Sequence, residues 1–133
     1  MAQNVPYNLE AEQAILGCVL IENEIMTALS DEMKVQDFYD RRHQIIFSAM
    51  LNICKSQMQI DFTTLIAELQ TKNQLIEAGG AVYLSSLIDA VYTTANINDY
   101  IQIVQDAALK RNVIAAATSI AEAGYNANYD SAG

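Results

Sequence analysis

The stretch that decides the fold is KRNVIAAATSIAEAGY, Lys110–Tyr125, near the end of the chain. It contains good helix formers and no proline, so it predicts a helix. Residues 113–117 within it are apolar without a break. Successive residues of a helix are rotated by about 100°, so this run surrounds the helix axis, whereas an ordinary surface helix has one apolar stripe. Something other than a single neighbouring surface must therefore cover this helix.

The composition of the 133-residue chain predicts one all-α domain. Hydrophobic residues make up 52% of it, with only 5 Gly and 1 Pro, and a chain of this length can bury a core without a metal or disulfide. Cys18 and Cys54 lie among apolar residues and predict buried free thiols. Every apolar run is interrupted before about 18 residues, and MAQNVPYNLE lacks a secretory pattern. We therefore expect a cytoplasmic protein with no membrane span.

The charge balance argues against direct contact with nucleic acid. Seven basic residues face 16 acidic ones, giving a net charge of −9, which repels phosphate backbones. The pairs Arg41-Arg42 and Lys110-Arg111 are typical of solvated helix faces. Metal-ligand spacings, a glycine-rich phosphate loop and a nucleophile elbow are all missing from the sequence. We expect no cofactor, no metal and no catalytic residue in this chain.

His43, the single histidine, allows two interpretations. It lies near Asp37 and Asp40, so it could be the acid or base of a small enzyme. It also follows the probable helix cap Asp40 by three residues, where a ring nitrogen commonly serves as a local hydrogen-bond partner. The structural interpretation is favoured.

Apolar spacing and capping residues predict a series of helices with short joints. The last helix opens at Asn96 and runs to about Tyr125, a length of roughly 45 Å at 1.5 Å per residue. A globule of this size is narrower than that. The chain thus divides into a globular helical head (residues 1–95), a long helix (96–126) and a tail (127–133). The expected helix starts and breaks are Asn8, Asp40, Asp61, Gly79-Gly80 and Asn96, with a short helix before a turn near Asp37.

Beyond Lys110 the apolar positions of the long helix form two stripes. Small residues among them allow a second helix to approach closely. One alternative is an ordinary core helix buried by its own domain. Only NANYDSAG follows this helix, so a partner, or a continuation of the same chain, is the better explanation. The stripes consist of Leu109, Val113, Ala116 and Ile120 on one side, and Ile114, Ala117 and Ala121 on the other.

Five motifs in order resemble the N-terminal domain of the DnaB-type replicative DNA helicases, over about Pro6 to Tyr125. They are NLEAEQAILGCVL, DFYDRRHQIIFSAM, QIDFTTLIAEL, GGAVYLSSL and TTANINDYIQIVQDAALKR. The resemblance implies a bundle of about six helices followed by a helical hairpin, whose first arm is the helix ending at Tyr125. A departure is Tyr92, where the family usually has a proline that fixes the entry to the hairpin.

The resemblance also implies a function. Hairpins pair between subunits to form the collar of a hexamer, and the collar recruits the C-terminal helical domain of primase, with a helicase loader as a further candidate partner. ATP and Mg²⁺ would belong to a separate C-terminal motor domain absent here, so this fragment is expected to be an assembly and docking module without enzyme activity. The strong acidity suggests a partner with a basic surface.

The residues implied for these roles fall into two groups. The partner-binding candidates are Tyr83, Ile114, Ile120 and Glu10, and the oligomerisation candidates are Val113, Ala116, Ala117 and Ala121. Tyr83 could instead pack in the core, and the two isoleucines could contact the second hairpin arm. Two other functions stay open. One is a primase-type helicase-binding domain or accessory helicase-binding protein, against which EAEQAILG and DFYDRRHQIIF favour the helicase. The other is a small acid/base enzyme using His43.

Overall fold

Helix boundaries follow the capping residues of the sequence. In a computed structural model, which describes residues 4–132, Asn8 Oδ1 accepts from Ala11 N at 2.9 Å and opens the first helix. Asp40 accepts from Arg42 N at 2.8 Å. Asp61 and Thr64 form a reciprocal capping box, which satisfies backbone groups that a helix end leaves free. The predicted caps are confirmed.

Residues 4–132 form six α-helices and one 3-10 turn, without a strand, so the all-α prediction is confirmed. The first five helices and the turn make a head, and the sixth helix leaves it. The elements are α1 (Leu9–Ile21), α2 (Ile25–Glu32), the 3-10 turn (Val35–Asp37), α3 (Arg41–Lys55), α4 (Phe62–Thr71), α5 (Gly80–Asp89) and α6 (Ile97–Ala132).

The long helix α6 extends further than the sequence analysis predicts. It continues past Tyr125 to Ala132, through most of the segment expected to be a tail. No proline follows Tyr125, and an established helix propagates until a breaker or a better alternative for the backbone stops it.

The core lies around α1, which contacts α3, α5 and α6. Ile15, Leu16 and Phe47 are fully buried at its centre. Apolar residues from the proximal half of α6 cover one side of α1. These are Ile101, Val104, Ala107 and Ala108. Both cysteines are free thiols, Cys18 fully buried and Cys54 half-buried. Burial raises the pKa of the Cys18 thiol above its usual value.

Arg111 anchors α6 where the helix leaves the head. Its guanidinium donates to the backbone oxygen of Pro6 at 3.0 Å and to that of Asp37 at 2.9 Å. It also lies 5.5 Å from the ring centroid of Tyr39, which stacks on Tyr7 at 4.4 Å. The expectation that the Lys110-Arg111 pair forms a solvated face is therefore wrong for Arg111. Its planar guanidinium links α6 to the segment before α1, at Pro6, and to the end of the 3-10 turn, at Asp37.

We expect Arg111→Ala to lower the free energy of unfolding by about 1–2 kcal/mol, because two carbonyl groups lose a charged donor. Urea unfolding followed by circular dichroism measures this change. Lys110→Ala is the matched control, since it removes a neighbouring cation that is exposed, and should change the free energy by less than about 0.5 kcal/mol. Equal effects of the two substitutions would show that the Arg111 hydrogen bonds contribute nothing specific.

Candidate functional site

The distal half of α6 has no neighbour among the described residues. Every residue from 112 to 127 is exposed. Val113 is 60% exposed, Ile120 72% and Tyr125 70%. The prediction that the domain itself leaves this stretch uncovered is confirmed. The alternative of a core helix buried by its own domain is wrong, because the head ends near Arg111, where the last contacts to α6 are made.

The side of α6 that faces the head changes character beyond Arg111. About 18 residues make five helical turns, so residues that far apart lie on the same side. The buried Ile101 is followed on this side by Ser119, and the buried Val104 by Glu122. The apolar residues move to the two other stripes, whose centres are about 100° apart around the helix axis. The apolar residues of the distal helix therefore lie exposed on two sides that do not continue the side facing the head.

A buried hydrogen-bond network lies inside the head, between α1, α3 and α5. Glu12 is 1% exposed and His43 is fully buried. His43 Nδ1 lies 2.7 Å from Glu12 Oε1, and His43 Nε2 lies 2.5 Å from the Tyr83 hydroxyl. Gln13 Nε2 donates to the same hydroxyl at 3.2 Å. Three helices are thus joined through one imidazole ring.

The partners of Glu12 determine how the protons are arranged. Its carboxylate also accepts from the backbone N–H of Tyr39 at 2.7 Å and of Asp40 at 3.3 Å. With Glu12 as an ionised carboxylate, which only accepts, and His43 as a neutral ring, the ring proton is assigned to Nδ1. Nε2 then accepts from the Tyr83 hydroxyl, whose oxygen accepts from Gln13. This assignment satisfies every buried polar side-chain group of the network, as a stable interior requires.

The structure agrees with the structural interpretation of His43 but corrects its details. The expected local hydrogen-bond partner is wrong, since Glu12 and Tyr83 are 31 and 40 residues away along the chain. The Asp40 side chain instead binds Arg42, at 2.7 Å. A fully buried imidazole offers no surface to a substrate, which argues against the acid/base enzyme.

Tyr83 is only partly available to a partner. Its hydroxyl is held by His43 and Gln13, and the Arg42 guanidinium covers one ring face, 4.1 Å from the centroid. Burial raises the pKa of the Tyr83 phenol.

Arg42 is half-buried and paired with Asp40, contrary to the expectation that it lies on a solvated face. The hydrogen bond from Arg42 lowers the pKa of the Asp40 carboxyl. Arg41 is exposed, with only a loose contact of 3.7 Å to Glu77.

The four candidate partner-binding residues do not form one patch. Glu10 is exposed on α1, at the edge of a groove between α1 and α6. Ile114 is 38% exposed and belongs to one stripe of α6, while Ile120 belongs to the other. Tyr83 lies on α5 and is reached from the groove only through Gln13. A single small ligand could not touch all four.

Among residues 4–127, whose side chains the structure describes, no three His, Cys, Asp or Glu side chains lie together in a way that could hold a metal ion. No helix within the described residues 4–132 has the length and apolar character needed to cross a membrane.

The chain is similar to known replicative helicases in sequence. It is 43% identical over 120 residues to the replicative DNA helicase DnaB of Geobacillus stearothermophilus. The aligned residues make up 90% of this chain and 26% of that protein. The replicative DNA helicase DnaC of Bacillus subtilis is 38% identical over 120 residues, with the same coverage. The chain thus spans about a quarter of the length of these relatives.

The fold agrees with these relatives. The crystal structure of the N-terminal domain of DnaB helicase from Mycobacterium tuberculosis matches with a TM-score of 0.90 and 34% identity, over 94% of this chain and 89% of that one. The structure of a DnaB-like replicative helicase, described with its interactions with primase, matches with a TM-score of 0.75 and 31% identity, over 86% of this chain and 26% of that one. The family model of the DnaB-like helicase N-terminal domain matches residues 4–106. From the helical head to the proximal half of α6, this chain belongs to the DnaB-like helicase N-terminal domain family.

Proposed function

We propose that the chain serves as the non-catalytic N-terminal domain of a replicative DNA helicase, where it assembles the collar of the hexamer and docks primase. The observation that carries this proposal is the exposure of residues 112–127, with apolar side chains on two stripes of α6. Unwinding, and the binding of ATP and Mg²⁺, are assigned in this proposal to the motor region of such helicases. A role in replication also implies a cytoplasmic location.

The two stripes give the distal helix two surfaces for other helices. Alanines at Ala116, Ala117 and Ala121 allow close approach of a facing backbone, and Val113 adds apolar area beside them. These four residues are proposed to contact neighbouring hairpin arms, from the same subunit or from another copy. Burying Val113 and Ile120, which are exposed here, would be favourable by about 25 cal/mol for each Å² of apolar area.

Primase docking is supported by the solved relative described with its interactions with primase. We propose that the C-terminal helical domain of primase binds Ile114, Ile120 and Glu10, and that a helicase loader is a further partner. Tyr83 is half-buried and contributes mainly through Gln13, because its hydroxyl and one ring face are already occupied.

We expect Ile120→Asp to weaken association at least tenfold without lowering helix content, because it places a charge on a surface that the partner must desolvate. Light scattering of the chain alone, and with a primase C-terminal domain, measures the assembled mass. Circular dichroism checks the helix.

Ser119→Asp is the matched control for Ile120→Asp. It adds the same charge one residue away on the polar side of α6 and should associate like the unmodified chain. Ile114→Asp extends the test to the second stripe. If the unmodified chain stays monomeric and also does not bind the primase domain, the proposed function is wrong.

The other two functions have less support. The sequence relatives are helicases and the matching family model describes a helicase domain, which does not favour a primase-type domain. The acid/base enzyme would need a substrate to reach His43, which is enclosed by the head.

A further inference from the structure

A groove on the head lies between α1, the segment after α5 and the proximal part of α6. It has a volume of about 550 Å³, within the range of about 300–1,000 Å³ typical of binding pockets. Its walls are mostly apolar or aromatic. The residues used below are Glu10, Ala14, Ala90, Tyr92, Tyr100 and Ile103.

The apolar part of this groove is open to solvent. Ile103 is 42% exposed, and Tyr92 is fully exposed beside it. Ala14 and Ala90 are small, so nothing bulky from their positions fills the space between the two large side chains. A groove that is open between two large side chains has a shape that suits the apolar face of a docked helix.

One side of the groove continues along α6 into its exposed distal half. Positions 103, 107, 110 and 114 are spaced by four, three and four residues, so Ile103 and Ile114 lie on the same side of α6. They are about 16 Å apart along the helix axis, which is the length of a three-turn helix. Glu10 and Ile114, two of the proposed partner-binding residues, are thereby connected through Ile103.

Acidic side chains border this surface. Glu10 lies on the α1 side, while Asp99 and Asp106, both exposed, flank Ile103 on α6. Lys110 is the basic side chain on the same side of the helix. This chain carries 7 basic and 16 acidic residues, so a second copy offers few cations to such a border. A different protein with basic residues fits it better.

We propose that the groove between Tyr92 and Ile103 binds an amphipathic helix of a partner protein, with an apolar anchor against Ile103 and Lys or Arg residues beside Glu10 and Asp99. The proposal rests on the proposed docking function and adds the surface and the chemistry of the docked segment. An apolar row on a helix of about 11 residues would run from the groove to Ile114.

The test measures the dissociation constant of a primase C-terminal helical domain for the unmodified chain and four variants, the fourth being Ile114→Asp. We expect Ile103→Ser to weaken binding at least tenfold and Asp99→Lys to weaken it several-fold, with a loss that shrinks as salt is added. Gln102→Ser is the matched control, since its exposed side chain points away from the groove, and it should bind like the unmodified chain. Circular dichroism confirms that all forms are folded.

The outcomes separate the groove from the broader function. If Ile114→Asp abolishes primase binding while Ile103→Ser does not change it, the groove proposal is wrong and the docking function stands. If the unmodified chain binds no primase, docking is wrong, and the groove is then judged with a fluorescent helical peptide of leucines flanked by lysines. Binding of this peptide, lost in Ile103→Ser and in a glutamate version of the peptide, supports the groove; no binding overturns it.

Discussion

Replacing Glu12 with alanine is expected to lower the free energy of unfolding by about 3–5 kcal/mol, the range for removing one partner of a buried, hydrogen-bonded pair. The substitution leaves three donors without an acceptor: His43 Nδ1 and the backbone N–H groups of Tyr39 and Asp40. His43 is fully buried, and the hydrogen bonds from the two backbone N–H groups are partly buried. A domain of this size is stable by only about 5–15 kcal/mol, so the variant should unfold at a much lower urea concentration.

Two further variants make the Glu12 test specific. Glu10→Ala removes an exposed carboxylate from the same turn of α1 and should change the free energy by less than about 0.5 kcal/mol. Glu12→Gln keeps an oxygen acceptor but presents an amide donor to groups that also donate, so its effect should fall between the other two. If Glu12→Ala unfolds at the same urea concentration as Glu10→Ala, the network is not a source of stability.

The helix starts of this fold can be predicted from the sequence, because the residues that form each cap lie within a few positions of one another. Asn8, Asp40 and Asp61 each accept from a backbone N–H two or three residues ahead. The uncovered distal helix is equally readable, since the apolar residues on its two stripes lie within Leu109–Tyr125. The helix end at about Tyr125 was wrong because the stretch that follows is polar but contains no proline to stop it.

Long-range contacts are the part that the sequence does not predict. Glu12 sits on the apolar stripe of α1, in line with Leu16 and Val19, and His43 sits likewise on that of α3. A lone charged or polar residue on such a stripe is a signal that two of them meet in the core. Nothing local identifies their partner, nor the carbonyl groups that bind Arg111. The groove at Ile103 is similarly formed by elements far apart in sequence.

Gly17→Ala is expected to lower the free energy of unfolding by about 2–3 kcal/mol, even though alanine is the better helix former by about 1 kcal/mol. Gly17 lies in the buried middle of α1, where α5 approaches closely. A Cβ atom there would stand 2.2 Å from the Leu87 backbone oxygen and 2.6 Å from Val91 Cγ2. The backbone of α5 would have to move away from α1, which would open the core around Leu84 and Leu87.

Gly124→Ala is the matched control, because Gly124 lies in α6 with no atom within 4 Å of an added Cβ. The same substitution should here stabilise the helix by up to about 1 kcal/mol. The two alanine variants therefore move unfolding in opposite directions, and chemical denaturation together with the thermal midpoint measures both. If both variants stabilise the protein, the glycine in α1 is not required by the approach of α5, and the packing of these two helices must be looser than the distances indicate.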